Sequence, residues 1–276
     1  MKSSLSKTII SPRTTTILGW IWSAGQIHAS PHRIATLSAR VCPTTVRGLR
    51  SFIGAYKVLA RVIPQCASAV TALHDFITGC QSSDKLFWTE DSRSAFTIAQ
   101  KSLSTNKTIK LPRPSDVLWF VTDGAVKNWG IGAKLYVVRA WKPRLAGFSS
   151  AKLRKEQVTW LPCEIEALSI GTAMKHFSPY SIKSEYKTCI LTDNSTCVQA
   201  YEKLSRGELS SSPRVSTFRT TVSRYQASIQ HLVEIANIPS DFVSRNAIEG
   251  NNSNCQICTF IRQYNSKCML HWRSSQ

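Results

Sequence analysis

Acidic side chains are scarce in this 276-residue chain, which has 16 Asp and Glu residues against 35 Lys and Arg residues. No acidic residue precedes Asp75, whereas nine basic residues do. The formal net charge is therefore +19. Such an excess favours a phosphate-rich partner, either nucleic acid or an anionic membrane surface. The alternative is a basic structural protein with no role in nucleic-acid binding.

Long hydrophobic runs are also missing. The longest apolar run near the N-terminus, Ile17 to Trp22, is interrupted by Gly19 and is too short for a signal peptide or a membrane span. The nine cysteines are scattered and odd in number, which is untypical of a secreted disulfide framework. We therefore expect an intracellular protein, cytoplasmic or nuclear, that is neither secreted nor bound to a membrane. Hydrophobic residues make up 42% of the chain, enough for a packed core.

Two apolar segments of the chain each end in the dipeptide Thr-Asp. Val117 to Asp123 reads VLWFVTD and Cys189 to Asp193 reads CILTD. A short apolar run of this kind is typical of a strand buried on both faces. A carboxylate at the end of a buried strand is costly unless a cation or a hydrogen-bond network compensates it. If the strands lie side by side, Asp123 and Asp193 meet at one edge of the sheet, as a divalent-metal site requires.

The patterning of the whole chain predicts an α/β protein. From residue 117 onward, three strands, a helix, a strand, helices, a strand and a helix alternate, which indicates a mixed sheet covered by helices. The preceding part predicts a β-hairpin at 15–30, an amphipathic helix at 43–64 and a second helix capped by Thr89. Polar segments around 81–84 and 104–116 mark the boundaries between these parts.

The amphipathic helix carries a basic flank. On a helical wheel, Arg47, Arg50, Lys57 and Arg61 gather beside the apolar face. This arrangement suits a helix that packs on its own domain and contacts a phosphate backbone. A solvated charged face explains the pattern equally well.

Four carboxylates from residue 117 onward form a candidate catalytic set, namely Asp123, Glu164, Asp193 and Asp241. Oxygen ligands of this kind suit Mg²⁺ or Mn²⁺ better than zinc. Four of them can hold two ions about 4 Å apart for hydrolysis of a phosphodiester. Periodicity does not choose between Glu164 and its neighbour Glu166, because the two lie on opposite edges of the apolar face of their helix.

The order of the motifs resembles the RNase H domain of reverse transcriptases, especially those of LTR retrotransposons of the gypsy or BEL/Pao type. The motifs are TDG at Asp123, E-x-x-A-L at Glu164, LTD at Asp193, and an H-x5-N-x3-D motif formed by His231, Asn237 and Asp241. The resemblance implies a five-stranded mixed sheet flanked by helices and hydrolysis of the RNA strand of an RNA–DNA hybrid. The resemblance also selects Glu164 over Glu166, and it implies that the four acids are metal ligands.

The same resemblance places His231 at the rim of the site, where it would assist proton transfer or product departure, and Asn237 beside the nucleic acid. One residue departs from the family pattern. Glu234 stands where retroelements commonly have glycine, and a further acid there could crowd the metals or raise the pKa of a neighbour.

The resemblance extends upstream. LGWIWSAG looks like the hairpin that grips the primer, TTVRGLRSFIGAYKVLARVIP like thumb helices, and FWTEDSRSAF like the start of the tether to RNase H. No Asp-Asp dipeptide occurs, so we expect no polymerase activity from this chain alone. It looks like the C-terminal piece of a larger element, truncated within its palm, with a separate palm and an integrase as possible partners. The expected parts are a thumb-like, mostly helical fragment with a hairpin at 1–80, a tether at 81–114, an RNase H-like domain at 115–248 and a tail at 249–276.

The tail contains two pairs of soft ligands, Cys255 with Cys258 and Cys268 with His271. They could hold one Zn²⁺ tetrahedrally, or they could be the remnant of a longer segment. The leading hypothesis for the whole chain is a Mg²⁺- or Mn²⁺-dependent RNase H-type endonuclease. The alternative is a nucleic-acid-binding retroelement remnant whose catalytic chemistry has decayed.

Overall fold

Two large hydrophobic cores organise the chain, one in each half. The computed structural model describes residues 12–125, 130–140, 142–208 and 212–232. Among these residues, no helix is long and apolar enough to cross a membrane. The boundary between the two cores lies near Asp116, immediately before the first strand of the second sheet.

The described residues before Asp116 form the first unit, and those from Asp116 onward form the second. The first unit contains a small antiparallel sheet. Three of its strands follow one another as a meander, in which residues 18–19 and 24–25 form the two turns, all with positive φ. This backbone conformation matches the two-residue turns that suit twisted hairpins. The turn expected near Gly25 is therefore present, but the predicted single hairpin is extended by strands on both sides. The strands are β1 Thr14–Ile17, β2 Trp20–Ser23, β3 Gln26–Ala29 and β4 Ile109–Lys110, paired in that order.

Four helices complete the first unit: α1 Pro31–Ser38, α2 Val46–Lys57, α3 Cys66–Phe76 and α4 Glu90–Ser102. The single helix expected over 43–64 is wrong, because α2 ends at Lys57 and turns connect it to α3. The start of α4 is as expected, since the side chain of Thr89 accepts a hydrogen bond from the backbone of Ser92. Phe96 and Leu103 lie in the same core as α2 and α3, so the segment expected as a tether packs into the first unit.

The second unit is built on a five-stranded mixed sheet with the order β7-β6-β5-β8-β9, which confirms the predicted fold class. Strand β5 pairs antiparallel with β6 and parallel with β8. Strand β6 pairs antiparallel with β7, and β8 pairs parallel with β9. The strands are β5 Val117–Ala125, β6 Gly130–Arg139, β7 Lys142–Lys152, β8 Thr188–Thr192 and β9 Ala227–His231; the helices are α5 Pro162–His176, α6 Ser178–Ser181, α7 Ser195–Ser205 and α8 Pro213–Ser223.

The side chains of β5 point alternately to the two faces of the sheet, and they are buried on both. Leu118 and Phe120 lie in one core with Ala167 and Ile170 of α5, whereas Trp119 lies in a separate cluster. Since successive side chains of a strand point to opposite faces, β5 is buried on both sides. This burial accounts for its continuous apolar sequence.

The first unit covers the outer edge of β7, an edge strand of the sheet. The backbone N–H of Phe148 donates to the carbonyl oxygen of Arg61 at 3.1 Å. Nearby, Ser150 Oγ accepts from the backbone N–H of Ala67 at 3.0 Å. These bonds satisfy polar groups that an uncovered edge strand would expose.

Asp116 is a buried acid at the boundary between the two units. Its side chain is 2% exposed, and its Oδ2 atom lies 2.6 Å from Arg139 Nη2. A second bond joins Arg139 Nε to Asp116 Oδ1 at 2.9 Å, and the backbone N–H of Arg113 also donates to this carboxylate. The hydrogen bonds to Asp116 raise the pKa of the Arg139 guanidinium. The pair therefore ties the segment that enters β5 to the end of β6.

Asp116→Ala is expected to lower the free energy of unfolding by about 3 kcal/mol, because it leaves a partly buried guanidinium and a backbone N–H without their acceptor. Chemical denaturation measures the change. The matched control is Asp75→Ala, which breaks the exposed ion pair with Lys152 and should cost less than about 1 kcal/mol. Equal losses for the two variants would contradict a structural role specific to Asp116.

Candidate active site

The two Thr-Asp segments lie side by side, as the sequence predicts. Strands β5 and β8 are parallel, and Val121 is the register partner of Leu191. Asp123 and Asp193 each follow two residues later, so the two aspartates lie at the same level. This position is the carboxyl end of neighbouring parallel strands, where open α/β sheets commonly bind ligands.

Helix α5 brings a third carboxylate, Glu166, to these strand ends. Glu166 is 2% exposed. Its Oε1 atom accepts a hydrogen bond from Thr122 Oγ at 2.8 Å and another from Thr192 Oγ at 2.6 Å. The hydroxyl of Ser169, one turn later on α5, has two acceptors within reach, the carbonyl oxygens of Gly132 at 3.0 Å and of Asp123 at 3.2 Å. The side chains of α5 therefore fix the helix directly against the ends of β5 and β8.

A glycine permits this close approach. A Cβ atom placed on Gly124 would lie 2.9 Å from Glu166 Oε2 and 3.2 Å from Glu166 Cα. Real Cβ atoms essentially never approach another heavy atom within 3.0 Å. The G of the TDG motif is thus explained by packing, since a larger residue would push α5 away from β5.

The environment of Glu166 favours its protonated form. Burial raises the pKa of Glu166 to about 7, the hydrogen bonds from Thr192 and Thr122 oppose this change, and the charges of Asp193 and Asp123 raise it further. A carboxylate whose ionisation is opposed by neighbouring acids is one that a bound cation would stabilise.

Glu164 occupies a different environment, on the other side of the helix start. Its Oε1 atom accepts from Ser212 Oγ at 2.7 Å, and its Oε2 atom forms an ion pair with Arg214 Nη1 at 3.0 Å. The Arg214 guanidinium also stacks 4.6 Å from the centre of the Trp160 ring. Burial raises the pKa of Glu164, but the bonds from Ser212, the Leu161 backbone and Arg214 lower it by more, so the pKa is lowered overall.

The structure thus places Glu166, and not the expected Glu164, beside the Thr-Asp ends of β5 and β8. Glu164 instead joins the start of α5 to the start of α8. The physical reason is the rotation of about 200° between residues two apart on a helix, which sends only one of the two glutamates toward the sheet.

His231 lies at the end of β9, and its register partner is Thr192 of β8. Its Nε2 atom is 3.0 Å from the backbone carbonyl oxygen of Asp193. Because a carbonyl oxygen only accepts, this bond requires the proton to be on Nε2. His231 is thus next to the strand end that carries Asp193, and it contacts the backbone there.

The remaining members of the expected site fall outside the described residues. Asp241, Asn237 and Glu234 are among them, and so are the four tail residues Cys255, Cys258, Cys268 and His271. Within the described ranges, no three His, Cys, Asp or Glu side chains already form a metal-binding arrangement. The carboxylates of Asp123, Glu166 and Asp193 nevertheless fit Mg²⁺ or Mn²⁺ by donor type, since all three offer hard oxygen ligands.

The basic residues of the first unit do not form one ridge. Arg47 and Lys57 are exposed on α2. Arg50 is also exposed, but its guanidinium donates to Ser82 Oγ and to the Cys80 carbonyl oxygen at 2.6 and 2.8 Å.

Arg61 differs most from the expectation. Because α2 ends at Lys57, Arg61 is not on that helix. Its guanidinium carbon lies 5.0 Å from the centre of the Tyr180 ring, and its carbonyl oxygen bonds to Phe148 of β7. Arg61 therefore packs between the two units and does not lie beside the exposed cations of α2.

Comparison with known proteins agrees with the fold. Residues 88–188 match the model of the RNase H-like domain found in reverse transcriptase. The chain is 21% identical over 255 residues to the retrovirus-related Pol polyprotein from transposon opus of Drosophila melanogaster, covering 89% of this chain and 24% of the polyprotein. It is 30% identical over 109 residues to the Gag-Pol polyprotein of gibbon ape leukemia virus, covering 40% of this chain and 6% of the polyprotein. The chain thus spans a quarter or less of these relatives.

Solved structures with a similar fold include two of the foamy viral protease-reverse transcriptase. The one in complex with RNA/DNA hybrid has a TM-score of 0.68 at 11% identity, covering 83% of this chain and 30% of that one. The one in complex with dsDNA has a TM-score of 0.67 at 13% identity, covering 83% and 46%. The chain is therefore similar to part of retroelement Pol polyproteins, and within it residues 88–188 match the RNase H-like domain found in reverse transcriptase.

Proposed function

We propose that this chain hydrolyses the RNA strand of RNA–DNA hybrids, with Asp123, Glu166 and Asp193 as ligands for Mg²⁺ or Mn²⁺. The observation that supports this proposal best is the position of Glu166, a buried carboxylate held between two Thr-Asp strand ends. Asp241 is a fourth ligand in the proposal, on the strength of the sequence motif alone. A zinc-binding tail and an intracellular location remain predictions from the sequence.

The residues of the site have separate tasks in this proposal. Bound divalent cations supply Lewis-acid chemistry at the scissile phosphate and lower the pKa of a water molecule. Asp123 and Asp193 present carboxylates at the same level of the sheet, and α5 adds Glu166 from above. His231, through its bond to the carbonyl oxygen of Asp193, keeps the end of β8 in place next to β9.

Positive charge accounts for substrate binding. The formal charge of +19 attracts a polyanion, and each phosphate contacted by a Lys or Arg adds a salt-dependent gain in affinity. Arg47 and Lys57, exposed on α2, are the residues of the predicted flank that we assign to backbone contact. Arg50 can share this role while it also fixes the loop at Cys80. The solved relative bound to RNA/DNA hybrid supports this class of substrate.

A second function, binding without cleavage, is favoured by one observation. Glu166 Oε1 is occupied by two hydroxyl donors, and the described carboxylates are not arranged in advance around a metal. In this alternative the fold persists as a nucleic-acid-binding remnant.

A gel assay on the full chain separates the two functions. With Mg²⁺, we expect cleavage of the RNA strand in a labelled hybrid and none of duplex RNA, and EDTA should stop the reaction. Asp123→Asn and Asp193→Asn should each reduce the rate by at least about 100-fold, because each removes a charged ligand from the cations. Binding of the hybrid should persist in both variants and weaken as salt rises. Salt-sensitive binding by the wild type without any cleavage would establish the remnant function instead.

A further inference from the structure

Two threonines hold the carboxylate of Glu166 from two different strands. Thr122 of β5 and Thr192 of β8 each immediately precede an aspartate, and they lie at the same level because Val121 is the register partner of Leu191. Both hydroxyls donate to the same oxygen, Oε1, at 2.8 and 2.6 Å. Both threonines are buried, with exposures of 4% and 0%.

The direction of each bond follows from the neighbouring groups. The backbone N–H of Asn194 donates to Thr192 Oγ at 3.2 Å, so the hydroxyl proton of Thr192 is left for Glu166. The hydroxyl of Thr122 has two acceptors in reach, Glu166 Oε1 at 2.8 Å and the Leu191 carbonyl oxygen at 3.2 Å. Charge and distance both favour the carboxylate, because bonds to ionised acceptors are shorter and stronger.

Glu166 needs hydrogen bonds that fix its side-chain conformation more than Asp123 and Asp193 do. It stands on α5, a separate element from the two strands, and its side chain has one more rotatable bond than that of aspartate. A metal ligand with unfixed rotamers loses affinity through the entropy of ordering, and ligands are commonly oriented by a second set of hydrogen bonds.

We propose that Thr122 and Thr192 are positioning residues, which hold the Glu166 carboxylate at the level of Asp123 and Asp193 for cation binding. Their bonds use Oε1, so Oε2, which faces Gly124, is the oxygen assigned to the cation. This inference rests on the proposed function, because it names the residues that order one of its ligands. The threonines themselves contact neither the cation nor the substrate.

The test uses isosteric substitutions in the full chain. Thr122→Val and Thr192→Val keep the side-chain volume and remove the hydroxyl, whereas Thr122→Ser and Thr192→Ser keep the hydroxyl and remove a methyl group. Mn²⁺ affinity is measured by electron paramagnetic resonance without nucleic acid. The double valine variant should bind Mn²⁺ about 10- to 100-fold more weakly, the usual range for lost support of a metal ligand. The serine variants should stay within about threefold of the wild type.

Kinetics provide a second readout. In the valine variants kcat should fall with the loss of Mn²⁺ affinity. The KM for hybrid should stay within about twofold, because the basic side chains of α2 that are assigned to the phosphate backbone are unchanged. A purely structural role would instead lower Tm for valine and serine variants alike and leave Mn²⁺ affinity unchanged. That pattern would overturn the positioning role.

The two proposals fail in different ways. If the wild type binds Mn²⁺ and Asp123→Asn does not, while the valine variants match the wild type, the positioning role is overturned and the proposed function stands. If the wild type binds no Mn²⁺ and cuts no hybrid, the proposed function is overturned. In that case a crystal structure of the double valine variant decides the remaining question, since a displaced Glu166 carboxylate supports positioning and an unmoved one overturns it.

Discussion

Glu166→Gln is expected to reduce hydrolysis of the hybrid by about 1,000-fold, whereas Glu164→Gln should leave it within about threefold of the wild type. The first substitution replaces a charged oxygen ligand beside Asp123 and Asp193 with a neutral amide, and the charge stabilisation supplied through such ligands amounts to several kcal/mol. The second lies on the other side of α5, where it faces Arg214. The two variants change the same atoms on the same helix, so each is the matched control for the other.

For the free energy of unfolding the order of the two variants should be reversed, with the larger loss in Glu164→Gln. Glu164→Gln loses a charged acceptor for Ser212 and Arg214, so the free energy of unfolding should fall by about 1–2 kcal/mol at neutral pH. Glu166→Gln removes a carboxylate whose ionisation is unfavourable in the folded state. It should therefore be neutral or stabilising above pH 7, since the amide keeps an oxygen for the threonine hydroxyls.

The pH dependence of unfolding gives an independent check. The pKa of Glu166 is raised from 4.5 to about 7, so between these values the folded state binds more protons than the unfolded state. Stability is therefore greatest below pH 4.5 for this group and declines as pH rises through 7, by on the order of 3 kcal/mol. Glu166→Gln should remove this decline. The lowered pKa of Glu164 acts in the opposite sense, because its stabilisation is present above pH 4.5 and is lost as pH falls.

Denaturant titrations of the wild type and both variants between pH 4 and pH 8 measure these slopes, and hydrolysis is assayed on the same preparations. Loss of hydrolysis in Glu164→Gln with hydrolysis intact in Glu166→Gln would restore the glutamate chosen from the sequence.

Gly124→Ala is the second substitution with a large expected effect. The new methyl group would lie 2.9 Å from Glu166 Oε2 and 3.1 Å from Ile165 Cγ2. Its third neighbour is the Cα atom of Glu166, a backbone atom that can only move with α5. Overpacking of this kind typically costs about 1–3 kcal/mol of stability. Displacement of Glu166 should also reduce hydrolysis by about 100-fold, because catalysis tolerates misplacement of about 1 Å poorly.

Gly132→Ala is the matched control. Gly132 lies on the neighbouring strand as the register partner of Asp123, and its nearest contact for a new Cβ is Ser149 O at 3.8 Å, an ordinary distance. Its stability should stay within about 1 kcal/mol of the wild type. Thermal unfolding and the hybrid assay compare the two variants. If both glycines tolerate alanine equally, the close approach of α5 to β5 is not required for catalysis.

The sequence predicts the centre of the sheet well, for a local reason. A run such as VLWFVTD carries its own evidence for burial on both faces, and the repeated Thr-Asp ending indicates that two such strands end at one level. Confirmation of the mixed five-stranded sheet follows from these local patterns together with the order of the elements. The cap at Thr89 is similarly local, since one side chain and the following turn determine it.

Where the structure differs from these expectations, contacts between distant residues are responsible. Periodicity gives the apolar face of α5 but not its rotation against β5, and that rotation places Glu166, not Glu164, beside the ends of β5 and β8. One signal was present in the sequence, because Glu166 shares a helical face with Ile170 and Ala173, which lie in the core beneath α5. The position of Arg61 depends on the end of α2 and on the packing of β7, neither of which a helical wheel contains.

The covered edge of β7 has a practical consequence for work with the isolated second unit, which begins at Asp116. Removal of residues before Asp116 would strip the acceptor from the Phe148 amide and the donor from Ser150, and it would expose the apolar side chains that α3 and β4 now shield. A strand left open in this way can recruit the same strand of another copy, so such a truncated protein would tend to self-associate. Expression boundaries that retain the first unit should therefore give a protein that self-associates less.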